Sequence, residues 1–202
     1  MPSVPRWFTD HQEGHSQWYI DRFRTMAAEG ADLDGEARLV DALVAPGARI
    51  LDAGCGPGRV GAALFKRGHR VTGVDVDSAL IDAAKEDHPG PTWLVADLAE
   101  LNLAASGHPE IFDAAVLAGN VMAFLAPGTG SHVLTHVAHH LHPDAPIAVG
   151  FGRDRGYSIE EFDADVALAG LTVEHRFATW DLRPWNPSAG FAVSVLRTPS
   201  GS

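Results

Sequence analysis

Three aspartates carry the chemistry that can be read first. Asp52, Asp75 and Asp97 each end a short apolar run, and Asp52 leads directly into a loop with glycine at positions 54, 56 and 58. Glycines at alternate positions let a backbone turn with positive φ and bring its amides close to a ligand. Two kinds of ligand fit such a loop. Gly56-x-Gly58-x-x-Gly61 matches the dinucleotide fingerprint, with Asp75 near the distance of a ribose-binding acid. A pyrophosphate would sit against the helix amides that follow the loop, where Asp52 would repel it. A cationic ligand with a ribose and a base suits three carboxylates better, yet the NAD(P)-dependent oxidoreductase reading shares the same fold and stays as the alternative.

The elements that must position these acids alternate. Arg49–Gly54 reads as a strand and Pro57–Arg67 as a helix, with Pro57 in its first turn. Arg70–Asp75 is a second strand, followed by a helix that Asp77 caps, and Thr92–Asp97 is a third. Phe112–Gly119 is a fourth strand, its Ala and Val content that of a strand buried on both faces. A helix over Ser131–Leu141, a strand over Pro146–Gly152 and a helix over Ser158–Ala169 continue the alternation. Leu171–Leu182 and Phe191–Arg197 then follow with only a loop between them, so these two strands must pair antiparallel. The expected fold is α/β: a Rossmann-like, doubly wound, mostly parallel seven-stranded sheet closed by an antiparallel hairpin. In such sheets ligands bind beyond the carboxyl ends of the strands, near the switch in strand order.

Residues 1–45 lie outside the alternation and read as helical. One helix runs from Ser16, with Tyr19, Phe23 and Met26 on a stripe, and ends at Gly30; a second carries Leu39, Val40, Leu43 and Val44. The stretch Trp7–His15 before them reads either as an arm packed on the core or as a lid. The expected organisation is therefore one domain, with an N-terminal helical arm or lid over 1–45 and a ligand-binding domain over 46–202.

Composition narrows the class. The chain has 202 residues, is 46% hydrophobic and carries a net charge of −11, so it can build a full core and is a poor match for nucleic acid. No apolar run approaches the ~18 residues of a membrane span, and the first eight residues hold no apolar signal core. These features lead us to expect a cytoplasmic protein, a monomer or homodimer, without nucleic acid or membrane partners. Cys55 is the single cysteine, which excludes an internal disulfide. It reads as a small residue tolerated in the turn or, less simply, as a reactive thiol at a helix start. His132, His136 and His140 recur at intervals of four, a spacing that can bind metal on a helix face. Val133, Leu134, Val137 and Leu141 occupy the opposite side and must pack on the sheet, turning the histidines away from the strand ends. No functional metal is expected. The tail Thr198–Ser202 reads as frayed.

The runs ILDAGCGPGRV, VTGVDVD, LVADL and FDAAVLAGNVMAFL, at these spacings, resemble the class I S-adenosylmethionine-dependent methyltransferases, and the closing hairpin is similar to theirs. The resemblance covers about residues 46–152 and is nearest the small-molecule branch. It implies S-adenosylmethionine as cofactor, S-adenosylhomocysteine as product and a small-molecule methyl acceptor. It implies that Asp52 and the turn Gly54, Cys55, Gly56 and Gly58 hold the methionine moiety. Asp75 would accept the ribose hydroxyls and Val76 would pack on the adenine. Asp97 would meet the adenine amino group, with Leu98 against the ring. Gly119 and Asn120 would lie beside the sulfonium. The sequence Gly119-Asn120-Val121-Met122 departs from the Asn/Asp-Pro-Pro-Tyr signature of enzymes that methylate amino groups of nucleic acids. Methyl transfer is an in-line displacement that depends mainly on alignment, and it needs a base only when the acceptor carries a proton of high pKa. His11 and His15 on the lid, together with Asn120, are the candidate catalytic residues. Tyr19, Phe124, Arg153 and Trp185 are candidate acceptor contacts. The same residues would also serve a protein that binds the cofactor without catalysis.

Overall fold

The computed structural model describes residues 4–200. Seven strands form one sheet: β1 (Arg49–Ala53), β2 (Arg70–Asp75), β3 (Thr92–Val95), β4 (Ala114–Leu117), β5 (Pro146–Gly152), β6 (Thr172–Phe177) and β7 (Phe191–Arg197). Their spatial order is β3-β2-β1-β4-β5-β7-β6. The first five pair in parallel, whereas β7 lies antiparallel between β5 and β6. The sheet therefore closes with the expected hairpin. Strand order reverses between β1 and β4, which puts the ligand crevice at the carboxyl ends of those two strands.

Period-two alternation explains why the sheet is covered on both sides. Leu51 and Ala53 of β1, with Ile147, Val149 and Phe151 of β5, enter one core together with Leu134 and Val137. Ile50, Val116 and Ala148 enter the other core, with Ala37, Val40 and Leu64. The covering helices are α1 (Arg6–Thr9), α2 (His15–Ala28), α3 (Gly35–Leu43), α4 (Arg59–Lys66), α5 (Ser78–Asp87), α6 (Val121–Phe124), α7 (Gly130–His139) and α8 (Ile159–Leu168). A single 3-10 turn, Leu98–Glu100, follows β3.

Several boundaries differ from the sequence reading for local reasons. The helix after the glycine loop begins at Arg59, because Gly58 holds φ +86° and stops it reaching Pro57. β3 ends at Val95, and Asp97 instead caps the 3-10 turn by accepting from the Ala99 amide at 2.9 Å. β4 ends at Leu117, since Gly119 and Asn120 both take positive φ, at 71° and 69°. They start the short helix α6, which sequence periodicity does not show. The segment before Ser16 contributes the single-turn helix α1. Thr198 is not frayed: its buried hydroxyl accepts from the Ala145 amide at 2.8 Å and donates to the His142 carbonyl at 2.9 Å. Residues 201–202 lie outside the described residues.

Candidate functional site

A cleft opens at the carboxyl ends of β1 and β4, lined by Asp52, Gly54, Cys55, Gly56, Asp75, Val76, Asp97, Leu98 and Gly119. Its far wall is aromatic and comes from outside the sheet, from Trp7, Tyr19 and Phe23 on the arm and Phe124 on α6. The loop itself is tight. Gly54 has φ +79°, and a Cβ there would lie 2.4 Å from a methyl of Val121. Gly56 holds φ +54° and donates its amide to Asp75 at 2.9 Å.

The three acids stand in different environments. Asp52 is fully buried and accepts from the Gly61 amide at 2.8 Å, so the first turn of α4 already has an anion. Burial pushes its pKa up to about 7, against the pull of the Gly61 amide and of Arg59. Asp75 accepts from the amides of Gly56 and Asp77, both at 2.9 Å, which fixes the plane of its carboxylate. Burial raises it to about 6, again opposed by those amides. Gly73, opposite Asp52 in the sheet, makes room for this arrangement: a Cβ there would lie 2.3 Å from Trp93 and 3.0 Å from the Cys55 sulfur. Cys55 is buried, and burial, then Asp52 and Asp75, push its thiol pKa well up. That environment opposes thiolate formation.

Arg59 opens α4 at the cleft wall but is committed elsewhere. It pairs with Glu36 through two contacts of 2.6 and 2.8 Å and donates to the Leu33 carbonyl at 2.5 Å. Its guanidinium also lies 5.2 Å from the Phe23 ring centre. Tyr19 bridges the two sides of the crevice. A Cβ on Gly56 would lie 3.6 Å from its ring, and one on Gly119 would lie 3.4 Å from its hydroxyl. Burial raises its pKa, so it stays a neutral phenol that can donate a hydrogen bond.

The remaining sequence candidates are placed as follows. His11 and His15 stack at 3.6 Å behind Trp7 and are not among the residues lining the cleft. The His11 Nδ1 lies 2.9 Å from the Trp7 carbonyl, and burial, then His11, lower the pKa of His15. Asn120 accepts from the Gly152 amide at 2.7 Å and so ties the end of β4 to the end of β5. Phe124 lines the cleft, whereas Arg153 and Trp185 do not. Arg153 instead donates to the carbonyls of Pro187 and Ala189, locking the hairpin loop. Trp185 packs on the main core beneath Arg176. Their places, Arg153 at the end of β5 and Trp185 in the hairpin loop, made them look like acceptor contacts. Of the histidines here, His132 and His139 are exposed, whereas His140, which caps the end of α7, accepts from the Leu103 amide at 3.1 Å through Nε2, and its Nδ1 meets the His136 carbonyl at 2.7 Å. Among the described residues, no group of three or more His, Cys, Asp or Glu is placed to hold a metal. Trp7, missed as a lining residue, was visible only as an aromatic on the arm.

The cleft lies at the switch point of the sheet, where doubly wound α/β sheets bind their ligands. A methyltransferase-domain family profile matches residues 50–144. A TehB-like SAM-dependent methyltransferase from Corynebacterium glutamicum is 42% identical, with a TM-score of 0.86 over 94% of this chain and 100% of that one. Magnesium-protoporphyrin O-methyltransferase of Rhodobacter capsulatus is 32% identical over 131 residues, 61% of this chain and 54% of that protein. The ubiquinone biosynthesis O-methyltransferase of Xanthomonas campestris pv. campestris is 32% identical over 81 residues, 34% of each chain. The chain thus spans about half or less of the length of these two curated relatives. It belongs to the S-adenosylmethionine-dependent methyltransferase family, whose cofactor is S-adenosylmethionine. No helix among the described residues is long and apolar enough to cross a membrane.

Proposed function

We propose that this protein transfers a methyl group from S-adenosylmethionine to a small-molecule acceptor by in-line displacement. The observation that carries the choice of ligand is the Asp52 carboxylate bonded to the Gly61 amide. It puts negative charge where a dinucleotide would need to place its pyrophosphate, and where a sulfonium-bearing amino acid finds a partner. The donor set fits: buried acids poised to ionise against a cation, a turn too tight for side chains, and an apolar wall at Val76 and Leu98.

In this reading Asp52 and the turn Gly54–Gly58, Cys55 included, hold the methionine moiety. Asp75 receives the ribose hydroxyls, Val76 and Leu98 enclose the adenine and Asp97 meets its amino group. When bound, S-adenosylmethionine supplies a methyl group on a sulfonium that leaves as neutral S-adenosylhomocysteine. Gly119 leaves space beside that sulfur. Trp7, Tyr19 and Phe124 wall the acceptor side, exclude water and orient the acceptor, with the Tyr19 hydroxyl as hydrogen-bond donor. His11 and His15 act through the arm, by supporting Trp7. Asn120 holds the ends of β4 and β5 in register. The O-methyltransferase relatives support a small-molecule acceptor. Calorimetric titration tests the reading: S-adenosylhomocysteine should bind and NADH should not, and the reverse result would sink it.

A further inference from the structure

The arm that walls the acceptor side is held down by a carboxylate belonging to the cofactor side. Among the described residues, the side-chain hydrogen bonds that tie residues 6–16 to the rest of the molecule go to two places. Arg6 donates to the carbonyls of Arg155 and Gly156, at 3.1 and 3.3 Å. Trp7 Nε1 donates to Asp77 Oδ2 at 2.9 Å, and the Ser16 hydroxyl donates to that same oxygen. Asp77 is buried, and its other oxygen accepts from the Ala79 amide at 2.9 Å, capping α5. One oxygen thus holds the helix while the other holds both ends of the arm, with Gly14 at φ +87° between them.

Asp77 stands two residues beyond Asp75, and its own amide donates to Asp75 Oδ1 at 2.9 Å. Asp75 Oδ2 in turn accepts from Gly56 in the glycine loop. A continuous run of hydrogen bonds therefore leads from the loop, through the carboxylate of the ribose site, to the indole that walls the acceptor chamber. We propose that Asp77 is a positioning residue: it clamps the N-terminal arm over the acceptor side and ties that closure to occupancy of the Asp75 site. A ligand that donates hydrogen bonds to Asp75 fixes the turn carrying Asp77, and with it Trp7. The proposal rests on Asp75 being the ribose site.

Asn at position 77 separates clamp from cap. Asn caps a helix as well as Asp does, but its amide nitrogen would face the indole N–H, which can only donate. Hydrogen exchange of residues 5–18, with and without S-adenosylhomocysteine, reads the result. In the wild-type protein the ligand should slow exchange across the arm by about tenfold or more, the scale of one charge-assisted hydrogen bond. In Asp77→Asn the arm should exchange fast with or without the ligand, and because the coupling is reciprocal the ligand should bind about tenfold more weakly than in wild type. Ser16→Ala leaves the helix cap untouched, and should speed arm exchange in the bound state several-fold with a matching loss of ligand affinity; it decides the matter if Asp77→Asn does not fold. Arm protection in these variants equal to wild type would overturn the clamp, as would a wild-type arm indifferent to bound ligand. Failure of the wild-type protein to bind S-adenosylhomocysteine would overturn the site reading itself, and the coupling with it.

Discussion

At the scale of single residues, Asp75 has the most to lose. Its carboxylate is already oriented by two backbone amides and keeps lone pairs for two further donors. Each hydrogen bond to a charged group contributes about 1.5–3 kcal/mol. Asp75→Ala is therefore expected to weaken S-adenosylhomocysteine binding about 100-fold or more, measured by calorimetry, with the circular dichroism of the fold retained. An unchanged affinity would remove Asp75 from the ribose site. Asp52 behaves differently because it is more deeply enclosed. The aspartates and glycines of the loop were legible in the sequence because strand, turn and helix signals bracket them. The partner of Asp52 was not: Gly61 is nine residues away and becomes a donor only as the third residue of α4. The aromatic wall of the cleft was still less legible. Trp7 and Phe124 meet at 5.9 Å across more than a hundred residues of chain, and no local pattern encodes that contact.

Among the elements, β2 and α3 make the sharpest demands. Gly73 in β2 faces the ring of Trp93, a rigid neighbour with no room to yield. Gly73→Ala should cost about 1–3 kcal/mol in chemical denaturation, as overpacking of a filled core does. A variant as stable as wild type would mean that the β2–β3 register is wrong. Glu36 on α3 holds Arg59 at the start of α4, and both side chains are largely enclosed, at 14% and 18% exposure. Glu36→Ala leaves the guanidinium with a lost partner and should destabilise by about 3 kcal/mol in the same measurement. The parallel strands and the closing hairpin followed from the alternation of apolar runs with helical patterns and its interruption at the end. Their ends did not, because positive φ at Gly58, Gly119 and Asn120 is set by the site rather than by hydrophobic period.

For the molecule as a whole, the buried acids set a pH dependence. Asp52 and Asp75 have pKa values raised to about 7 and about 6, above the ordinary 3.8. The native state therefore binds more protons than the unfolded chain across that interval. The stability these two groups contribute is fully present below 3.8 and is lost as pH rises through about 6 and about 7. Asp52→Asn keeps the shape and removes the titration. Without cofactor, its stability should match wild type only below pH ~3.8, begin to exceed it as pH rises above that, and exceed it near pH ~8 by on the order of a few kcal/mol. Parallel stability curves for the two proteins would contradict the assignment. Added S-adenosylmethionine should offset the wild-type loss at the higher pH, because its cationic groups favour the ionised carboxylate.

The position of β7 has a consequence for how the chain is made. This strand, last in sequence, lies inside the sheet, between β5 and β6, along seven residues of β5. While the polypeptide emerges from the ribosome, the interior edge of β5 has to wait for it. At ~5–20 residues per second that wait lasts on the order of seconds. For that interval a buried strand, Pro146–Gly152, offers a bare apolar edge to any neighbouring chain. In the finished sheet β6, made during the wait, pairs with β7 and not with β5. Nascent chains stalled before Phe191 should therefore be the form of this protein that chaperones hold and that aggregates most readily.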